Sequence, residues 1–517
     1  MGTADHRAAP GRPAEALEKY QAIRTRLVEE FGADPSAELQ RAHTQVLTAE
    51  DVPEWDRGPT TPRQLPPDVA GFTGRAGELA ELDRVLAAER DCQPPIAAVH
   101  GPGGIGKTAL AVHWAHRVSP RFPDGQVYLD MRGYGPGEPV DPTVALDVVL
   151  RAVGVPPTRV PPGKEERSAL LRTRLAERRT LLLLDNVRDA DQARPLLPGG
   201  GNLVLITGRS ELRGLAVRDG AFRCALGELP SDESTSLIAA TIGTTRAGAE
   251  PAAVAELVAL CGRLPLALVV AAQRAARYPD APIAELVTEL RAGWDRLNVL
   301  SDPTDLAADP RAVFSWSYRA LSAEAAQAFR YLGLHPGPEI SLPVAMALLR
   351  TTAGTTRRLL DSLVSVHLLE HDQRNRYRFH DLLRVYAAER AAEEDPKTER
   401  DAAMGRMLDW YLHTLHRARV AVFAEAPLEL AQPEDEFVRP LDFATMAEAT
   451  AWYDTLRATL LAVVEYAAEH RHDRHGWQLA FLLRHFQEIR RHGDDELRCA
   501  EWALGCAKTR CASGPCT

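Results

Sequence analysis

The chain has 517 residues, which is enough for roughly three to four domains of about 150 residues each. Its 45% hydrophobic and 26% charged residues are typical of a globular protein and exclude a fibrous or low-complexity chain. The net charge of −10 argues against duplex DNA as a partner of the chain as a whole.

Apolar runs and cysteines indicate the compartment. The longest apolar runs, such as 264–272, reach about half of the roughly 18 residues that a membrane-spanning helix needs. The seven cysteines include no CxxC pair, which favours a reducing compartment over a disulfide-stabilised, secreted protein. We therefore predict a soluble, cytoplasmic protein without a membrane partner.

The first 70 residues predict a helical hairpin and a linker. Within residues 1–50, apolar residues recur at helical spacing before and after a break at Gly32 and Pro35. A hairpin of this size cannot bury a core alone, so we interpret it as the end of a helical unit whose earlier part is missing from this chain. Residues 51–70 contain five prolines in a polar stretch and predict a linker.

Residues 71–227 alternate between short apolar segments and amphipathic helices. This alternation predicts an α/β domain, in which a parallel sheet is covered by helices on both faces. The predicted strands are 96–100, 127–130, 181–185, 203–207 and 222–226.

The rest of the chain is predicted to be mainly helical. Residues 228–304 are rich in Ala and Leu without strand signals and predict a helical domain. Residues 305–392 give helices followed by a hairpin at 368–370 and 377–379, which predicts a winged-helix domain. Residues 393–508 predict the start of an α-solenoid of the tetratricopeptide-repeat (TPR) kind, and residues 509–517 a disordered tail.

A phosphate-binding loop (the P-loop, residues 101–108) carries the strongest functional signal. Its sequence GPGGIGKT fits G-x-x-x-x-G-K-[ST] and lies between a predicted strand and a predicted helix at 109–118. The glycines let backbone N–H groups point at phosphate oxygens, while Lys107 reaches the β- and γ-phosphates and the Thr108 hydroxyl ligates Mg²⁺. We therefore predict ATP or ADP, with Mg²⁺, as the ligand. The predicted nucleotide-binding residues here are Gly101, Gly103, Gly104, Ile105, Gly106, Lys107, Thr108 and Ala109.

Two residues at strand ends fit catalytic roles beside Lys107. Asp185 ends an apolar strand and can hold Mg²⁺ through water, although a strand-terminal aspartate can also cap the next helix. Arg209 follows another strand and can bind the γ-phosphate or form a surface salt bridge instead. The residue after Asp185 is Asn186, which cannot act as a base, so we expect slow hydrolysis at most.

Six motifs occur in an order that resembles the NB-ARC proteins, the STAND class of signal-transduction ATPases. They are FTGR at 72–75, the P-loop, LLLLDN at 181–186, TGR at 207–209, GRLPLA at 262–267 and FHD at 379–381. Residues 11–17 and 32–35 resemble the end of a bacterial transcriptional activation domain. Together these regions resemble AfsR-like regulators of the Streptomyces antibiotic regulatory protein (SARP) family.

The resemblance implies a nucleotide switch that regulates transcription. ADP would hold a closed form, ATP exchange would open it and permit assembly, and hydrolysis would reset it. Phe72 and Arg75 would lie near the adenosine, Arg209 would sense the nucleotide, Pro265 would touch the base and His380 would bond the ADP β-phosphate. Pro265 can equally be a helix start, and His380 a helix N-terminus.

The sequence departs from the family pattern in several ways. Phe379 stands where the motif often has Met, Asn186 replaces a second acid, and Gly208 replaces a hydroxyl-bearing or small residue. Residues 1–12 leave no room for the winged-helix DNA-binding domain with which SARP-type regulators start, so the chain looks truncated at both ends. We expect nucleotide as ligand and self-association or protein partners through the helical repeats, with DNA disfavoured for this chain alone.

Two other functions compete with the switch. A small-molecule kinase or fast NTPase would need a base near the phosphate and a substrate pocket, and the sequence offers neither. A DNA-binding module could use the predicted winged helix at 305–392, although an exposed hairpin also explains its basic residues. These are Arg357, Arg358, Arg374, Arg376 and Arg378.

Overall fold

A computed structural model gives the structure of the chain. It describes residues 61–69, 71–87, 94–135, 137–291, 296–300, 309–372, 376–423, 428–430, 433 and 435–513. The chain divides into two units, Met1–Thr61 and Pro62–Thr517. The predicted N-terminal hairpin and most of the predicted linker belong to the first unit and lie outside the described residues.

Five parallel strands form the sheet that the sequence predicts. Their order across the sheet is β2-β3-β4-β1-β5, so β1 lies between two strands that come later in the chain. The carboxyl ends of β1, β3 and β4 therefore meet at one edge, where ligands of open α/β sheets bind. The strands are β1 (Ile96–His100), β2 (Gln126–Asp130), β3 (Leu181–Val187), β4 (Leu203–Gly208) and β5 (Phe222–Ala225).

Helices cover both faces of this sheet, which confirms the α/β prediction. Alternate residues of each strand point to opposite faces, and both sets are apolar because both faces are buried. Val99 and Leu183 belong to the core that contains Trp114, whereas Ala98 and Leu182 belong to the core of the other face. The helices are α1 (Ala76–Ala87), α2 (Lys107–Val118), α3 (Pro142–Ala152), α4 (Lys164–Leu175), α5 (Ala190–Ala193) and α6 (Arg213–Asp219).

A group of helices follows the sheet, and its described residues contain no strand. Pro251 and Pro265 each occupy the first turn of a helix, where a missing N–H leaves no intrahelical bond unmade. The helices are α7 (Ser231–Ile242), α8 (Thr244–Ala249), α9 (Pro251–Leu260), α10 (Pro265–Arg277), α11 (Ile283–Arg291) and α12 (Arg296–Val299).

Residues 309–394, hereafter the downstream module, combine helices with a small antiparallel sheet of order β6-β8-β7. The predicted hairpin is present but shorter than expected, and β6 was not predicted because two residues carry no readable periodicity. The elements are α13 (Pro310–Arg319), α14 (Ala323–Gly333), β6 (Ile340–Ser341), α15 (Leu342–Leu349), α16 (Ala353–Ser365), β7 (Glu370–His371), β8 (Arg376–Arg378) and α17 (Asp381–Glu394).

Four long helices end the described chain, each packed on the next. They are α18 (Lys397–Phe423), α19 (Met446–Glu469), α20 (Asp473–Arg490) and α21 (Gly493–Ser513). Helix α21 extends to Ser513, past residue 509 where the tail was predicted to begin, and residues 514–517 lie outside the described residues. Among the helices that the structure describes, none combines the length and apolarity that crossing a membrane requires.

Candidate nucleotide site

The P-loop connects β1 to α2 at the carboxyl edge of the sheet. Gly104 and Gly106 have φ values of 79° and 90°, in the left-handed region that glycine adopts without a steric cost. A Cβ atom on Gly104 would also lie 3.0 Å from Cβ of Leu266, at the start of α10. The loop therefore needs glycine both for its turn and for the close approach of α10.

Lys107 begins α2 and folds back over the loop. Its Nζ atom donates to the carbonyl oxygens of Gly101, at 2.9 Å, and Pro102, at 2.7 Å. Burial of the ammonium group, with a smaller contribution from the positive charge of Arg209, lowers the pKa of Lys107 to about 7. The protonated side chain thus has only neutral carbonyl partners among these bonds, and an anionic ligand in the loop would stabilise it.

Asp185 lies on β3 beside Thr108, as a magnesium site requires. Its buried carboxylate accepts hydrogen bonds from the hydroxyls of Thr108 (2.9 and 3.1 Å), Tyr128 (3.1 Å) and Thr207. Burial raises the pKa of Asp185, although these hydroxyl bonds act in the opposite direction. The hydroxyl of Thr108 and the carboxylate are hard oxygen donors, so the pair fits Mg²⁺. The helix that follows β3, α5, is capped by the side chain of Asp189 and not by Asp185.

Asn186 is turned away from this carboxylate. It has a left-handed φ of 55°, and its side-chain amide donates to the carbonyl of Tyr134 at 2.7 Å and accepts from the N–H of Tyr134 at 3.2 Å. The amide therefore fixes the loop after β2 and cannot polarise an attacking water.

Arg209 lies against the P-loop and is not on the surface. Only 7% of the residue is exposed, and a Cβ atom on Gly103 would be 3.0 Å from its Nη1 atom. The guanidinium donates to the carbonyl of Val313 and the hydroxyl of Ser317, both on α13 and both at 2.6 Å. The rings of Tyr134 and Trp316 lie 5.1 and 5.7 Å from it.

This setting disfavours the charged form of Arg209. Burial lowers its pKa to about 10, and the two groups that accept its hydrogen bonds are neutral. Its interpretation as a surface salt bridge is therefore wrong. The guanidinium links β4 to the first helix of the downstream module instead.

Pro265 and the contact of His380 both lie in or next to the segment that precedes α10. Pro265 begins α10, and the N–H of the next residue, Leu266, donates to the carbonyl of Gly104 at 3.1 Å. His380 accepts from the N–H of Leu382 at 3.2 Å through Nδ1, so its Nε2 carries the hydrogen that is donated to the carbonyl of Gly262 at 2.8 Å. Both structural alternatives thus hold as well: Pro265 starts a helix and His380 caps α17.

Residues 72–75 contact the P-loop and its helix. The Arg75 guanidinium is buried and donates to the carbonyls of Ile105 at 3.3 Å and Gly227 at 2.7 Å. The Phe72 ring stacks on His113 of α2, with centroids 4.3 Å apart. A contact of either residue with adenosine stays a prediction.

The sequence missed three residues of this site. Tyr128 is on β2, and its hydroxyl donates to Asp185. Asp130, two residues later, is the register partner of Asp185. Residues two apart on a strand point to the same face, so this spacing could have indicated Tyr128. Val313 and Ser317 are on α13, more than 100 residues after Arg209. No local pattern indicates such a distant pairing.

Comparison with known proteins supports the resemblance found in the sequence. A model of the bacterial transcriptional activator domain matches residues 7–47. The regulatory protein AfsR of Streptomyces coelicolor is 39% identical over 484 residues, covering 89% of this chain and 47% of that protein. The regulatory protein AfsR of Streptomyces griseus is 41% identical over 415 residues, covering 78% and 42%. The chain thus spans about half the length of these relatives.

Solved structures overlap with the fold in part. A Walker-type ATPase of Pyrococcus abyssi is 14% identical, with a TM-score of 0.44, and the match covers 64% of this chain and 99% of that one. A STAND protein with a tetratricopeptide repeat sensor from Pyrococcus horikoshii is 16% identical, with a TM-score of 0.31, and the match covers 85% and 59%. Over the part of its Streptomyces relatives that it spans, the chain is similar to the AfsR regulatory proteins, and it carries a P-loop on a parallel sheet.

Proposed function

We propose that this chain is a cytoplasmic nucleotide switch that contributes to transcription regulation by binding ADP in a closed form and ATP in an open one. The observation that carries the proposal is that elements from three regions converge on the P-loop. A Cβ atom on Gly103 would lie 2.7 Å from Cγ1 of Val313 and 3.0 Å from Nη1 of Arg209, and the N–H of Leu266 donates to the carbonyl of Gly104 at 3.1 Å. A phosphate group in this loop would lie where the sheet, α10 and the downstream module meet.

The residues for phosphate binding are those of the loop itself. Its backbone N–H groups and the N-terminus of α2 attract an anion, and Lys107 would exchange two carbonyl partners for phosphate oxygens. Thr108 would ligate Mg²⁺ and Asp185 would hold it through water. When bound, Mg²⁺ neutralises charge on the β- and γ-phosphates.

Arg209 offers a way to distinguish ATP from ADP. Its guanidinium is bonded to the neutral oxygens of Val313 and Ser317, and a charge-assisted bond to a γ-phosphate would be stronger than either. ATP would therefore draw Arg209 from α13, whereas ADP has no such oxygen to offer. A ligand shifts a two-state equilibrium only through its different affinity for the two states, and this exchange supplies the difference.

His380 would add a second nucleotide-dependent contact. Its Nε2–H bond to Gly262 at 2.8 Å is the one that a β-phosphate oxygen would replace. Hydrolysis would be slow, because the side chain of Asn186 is bonded to Tyr134 and is not a base. Helices α18–α21 would provide the surface for self-association or for protein partners.

The two competing functions lack comparable support. A fast NTPase or kinase needs a base beside the phosphate, and Asn186 is not one. For DNA binding, Arg376 and Arg378 are already paired with Glu339 and Glu370, and Arg374 lies outside the described residues. The pair with Glu339 favours an internal role for Arg376, which is largely buried, whereas Arg378 is an exposed side chain of the hairpin.

Nucleotide binding can be tested with two lysine variants of the full chain. Lys107→Ala should weaken both ATP and ADP by roughly 10- to 100-fold, the equivalent of about 1.5–3 kcal/mol for a charged hydrogen bond. Lys164→Ala is the matched control, because this lysine is exposed on α4 in the same domain. Titration calorimetry gives the affinities, and chromatography identifies any nucleotide that accompanies the purified protein. Equal affinity in Lys107→Ala and the control contradicts the proposal.

A further inference from the structure

Two histidines from distant parts of the chain meet beside the P-loop. His100 ends β1 and precedes Gly101, and His367 lies between α16 and β7 of the downstream module. Nδ1 of His100 is 3.0 Å from Nε2 of His367, and the ring centroids are 5.1 Å apart. In the same interface, the N–H of Glu211 donates to the carbonyl of Ser365 at 3.3 Å. The histidine pair thus joins the strand that carries the P-loop to the downstream module.

The pair has room for one proton between its rings. A bond between two imidazole nitrogens needs one N–H and one lone pair, so protonation of both rings would set two N–H groups and two positive charges against each other. Of the charged groups that face the pair, Arg223 and Lys107 are cations, and the carboxylate of Glu211 is shared with Arg213 and Arg223. The surroundings therefore oppose protonation of either ring.

The same surroundings keep both rings neutral in this arrangement. Burial, followed by neighbouring positive charge, lowers the pKa of His100 to about 4 and that of His367 to about 3. If the module moved away, both rings would regain water, and their pKa would return to about 6.5.

The direction of the pH effect follows from this difference in pKa. The separated form would bind up to two protons that the joined form does not bind. The equilibrium constant that favours the joined form is therefore at its highest above about pH 6.5. As the pH falls from there towards 4, this constant falls by up to about tenfold per proton for each pH unit.

We propose that His100 and His367 form a proton-sensitive latch that holds the downstream module against the P-loop, so that protonation of both rings releases the module and weakens the binding of a nucleoside diphosphate. The latch reaches the site through Gly101, whose carbonyl oxygen is 2.9 Å from Nζ of Lys107. This inference rests on the proposed function, and it adds acidification to the conditions that open the switch.

The test compares ADP affinity at pH 7.5 and 5.5 in the full chain. His100→Asn places an amide where Nδ1 lies, and His367→Gln places one where Nε2 lies, so each variant keeps a hydrogen-bonding group but loses one titrating group. His371→Gln is the control, because His371 is an exposed histidine of β7 in the same module. Titration of ADP itself affects all variants alike and cancels in the comparison.

The wild-type protein and the control should lose ADP affinity more steeply than either latch variant. Relative to a latch variant, the wild-type Kd should rise by up to about tenfold between the two pH values. The same pH dependence in all four proteins would overturn the latch.

Hydrogen exchange without nucleotide separates a failure of the latch from a failure of the proposed function. Backbone exchange of residues 96–101 and 363–369, corrected for the intrinsic effect of pH, should accelerate at pH 5.5 in the wild type more than in His100→Asn. If ADP does not bind at pH 7.5 but this difference is present, the proposed function fails and the latch stands. If ADP binds and the difference is absent, only the latch fails.

Discussion

Lys107 is the residue whose titration is most directly linked to a ligand. Its pKa is lowered to about 7, chiefly by burial, and its partners are the neutral carbonyl oxygens of Gly101 and Pro102. Phosphate oxygens would replace these with negative charge and raise the pKa again. Near neutral pH, the protonation of one side chain and the occupancy of the loop are therefore coupled.

Nucleotide binding should take up a proton above pH 7. Because the pKa of Lys107 is lower in the free site than in the bound one, ADP affinity should fall as the pH rises above about 7, by up to about tenfold per pH unit. Calorimetry in buffers of different ionisation enthalpy measures the uptake. Lys107→Arg is the control, since a guanidinium stays charged and should give a flat profile between pH 7 and 9. A flat wild-type profile would exclude a lowered pKa at Lys107.

At the scale of elements, the sequence predicted best what is encoded locally. The strand 96–100 and the P-loop after it were predicted with their observed bounds, because an apolar run and a glycine-rich turn are short-range signals. The helix expected at 109–118 starts two residues earlier, at Lys107. Motif order also placed Asp185 beside Thr108, since the carboxyl ends of parallel strands share one edge.

The sequence could not predict which later helix would cover the P-loop. Arg209 has its partners on α13 and His100 has its partner before β7, at separations of more than 100 residues. Such pairs depend on how whole elements pack, and no residue spacing records that. The sensor role of Arg209 was predicted from its strand-end position and from the TGR motif at 207–209, without its contacts to α13.

Packing of α13 on the P-loop can be tested with a pair of substitutions. In Gly103→Ala the new methyl would lie 2.7 Å from Cγ1 of Val313 and 3.0 Å from Nη1 of Arg209. Overpacking of this kind costs about 1–3 kcal/mol, so ADP affinity and stability should both fall. Val313→Ala removes the methyl that clashes and should restore much of the loss in the double variant.

A double-mutant cycle on Gly103 and Val313 distinguishes a direct contact between the two residues from a general loss of stability. Residues in contact show coupling of about 0.5–3 kcal/mol, measured from chemical denaturation and from ADP affinity. Strictly additive effects would mean that α13 does not lie on Gly103 in solution. Arg209→Lys in the same background reports whether the two bonds to α13 depend on the bidentate geometry of the guanidinium.

At the scale of the whole molecule, several polar contacts between described residues connect the P-loop domain and the helices after it to the downstream module. Each is a single hydrogen bond or a pair of them, and such bonds contribute about 0.5–1.5 kcal/mol net. A ligand that replaces one or two of these contacts could therefore change the balance between joined and separated forms. They include Arg209 with α13, Glu211 with Ser365, His100 with His367, Gly262 with His380, and Asn298 with Arg311.

The reach of this coupling is measurable in α18, which lies outside the nucleotide site. Its buried residues include Trp410, whose indole N–H donates to the carbonyl of Arg439 at 2.9 Å, and α18 packs on α15 of the downstream module. ADP at about 100 times its Kd stabilises the form that binds it by about 2.7 kcal/mol. If α18 opens only together with the nucleotide site, its amide exchange should slow by up to about 100-fold with ADP. If ADP slows exchange only in α2, or if the exchange of α18 with ADP is the same in Lys107→Ala as in the wild type, the nucleotide acts locally and does not join the modules.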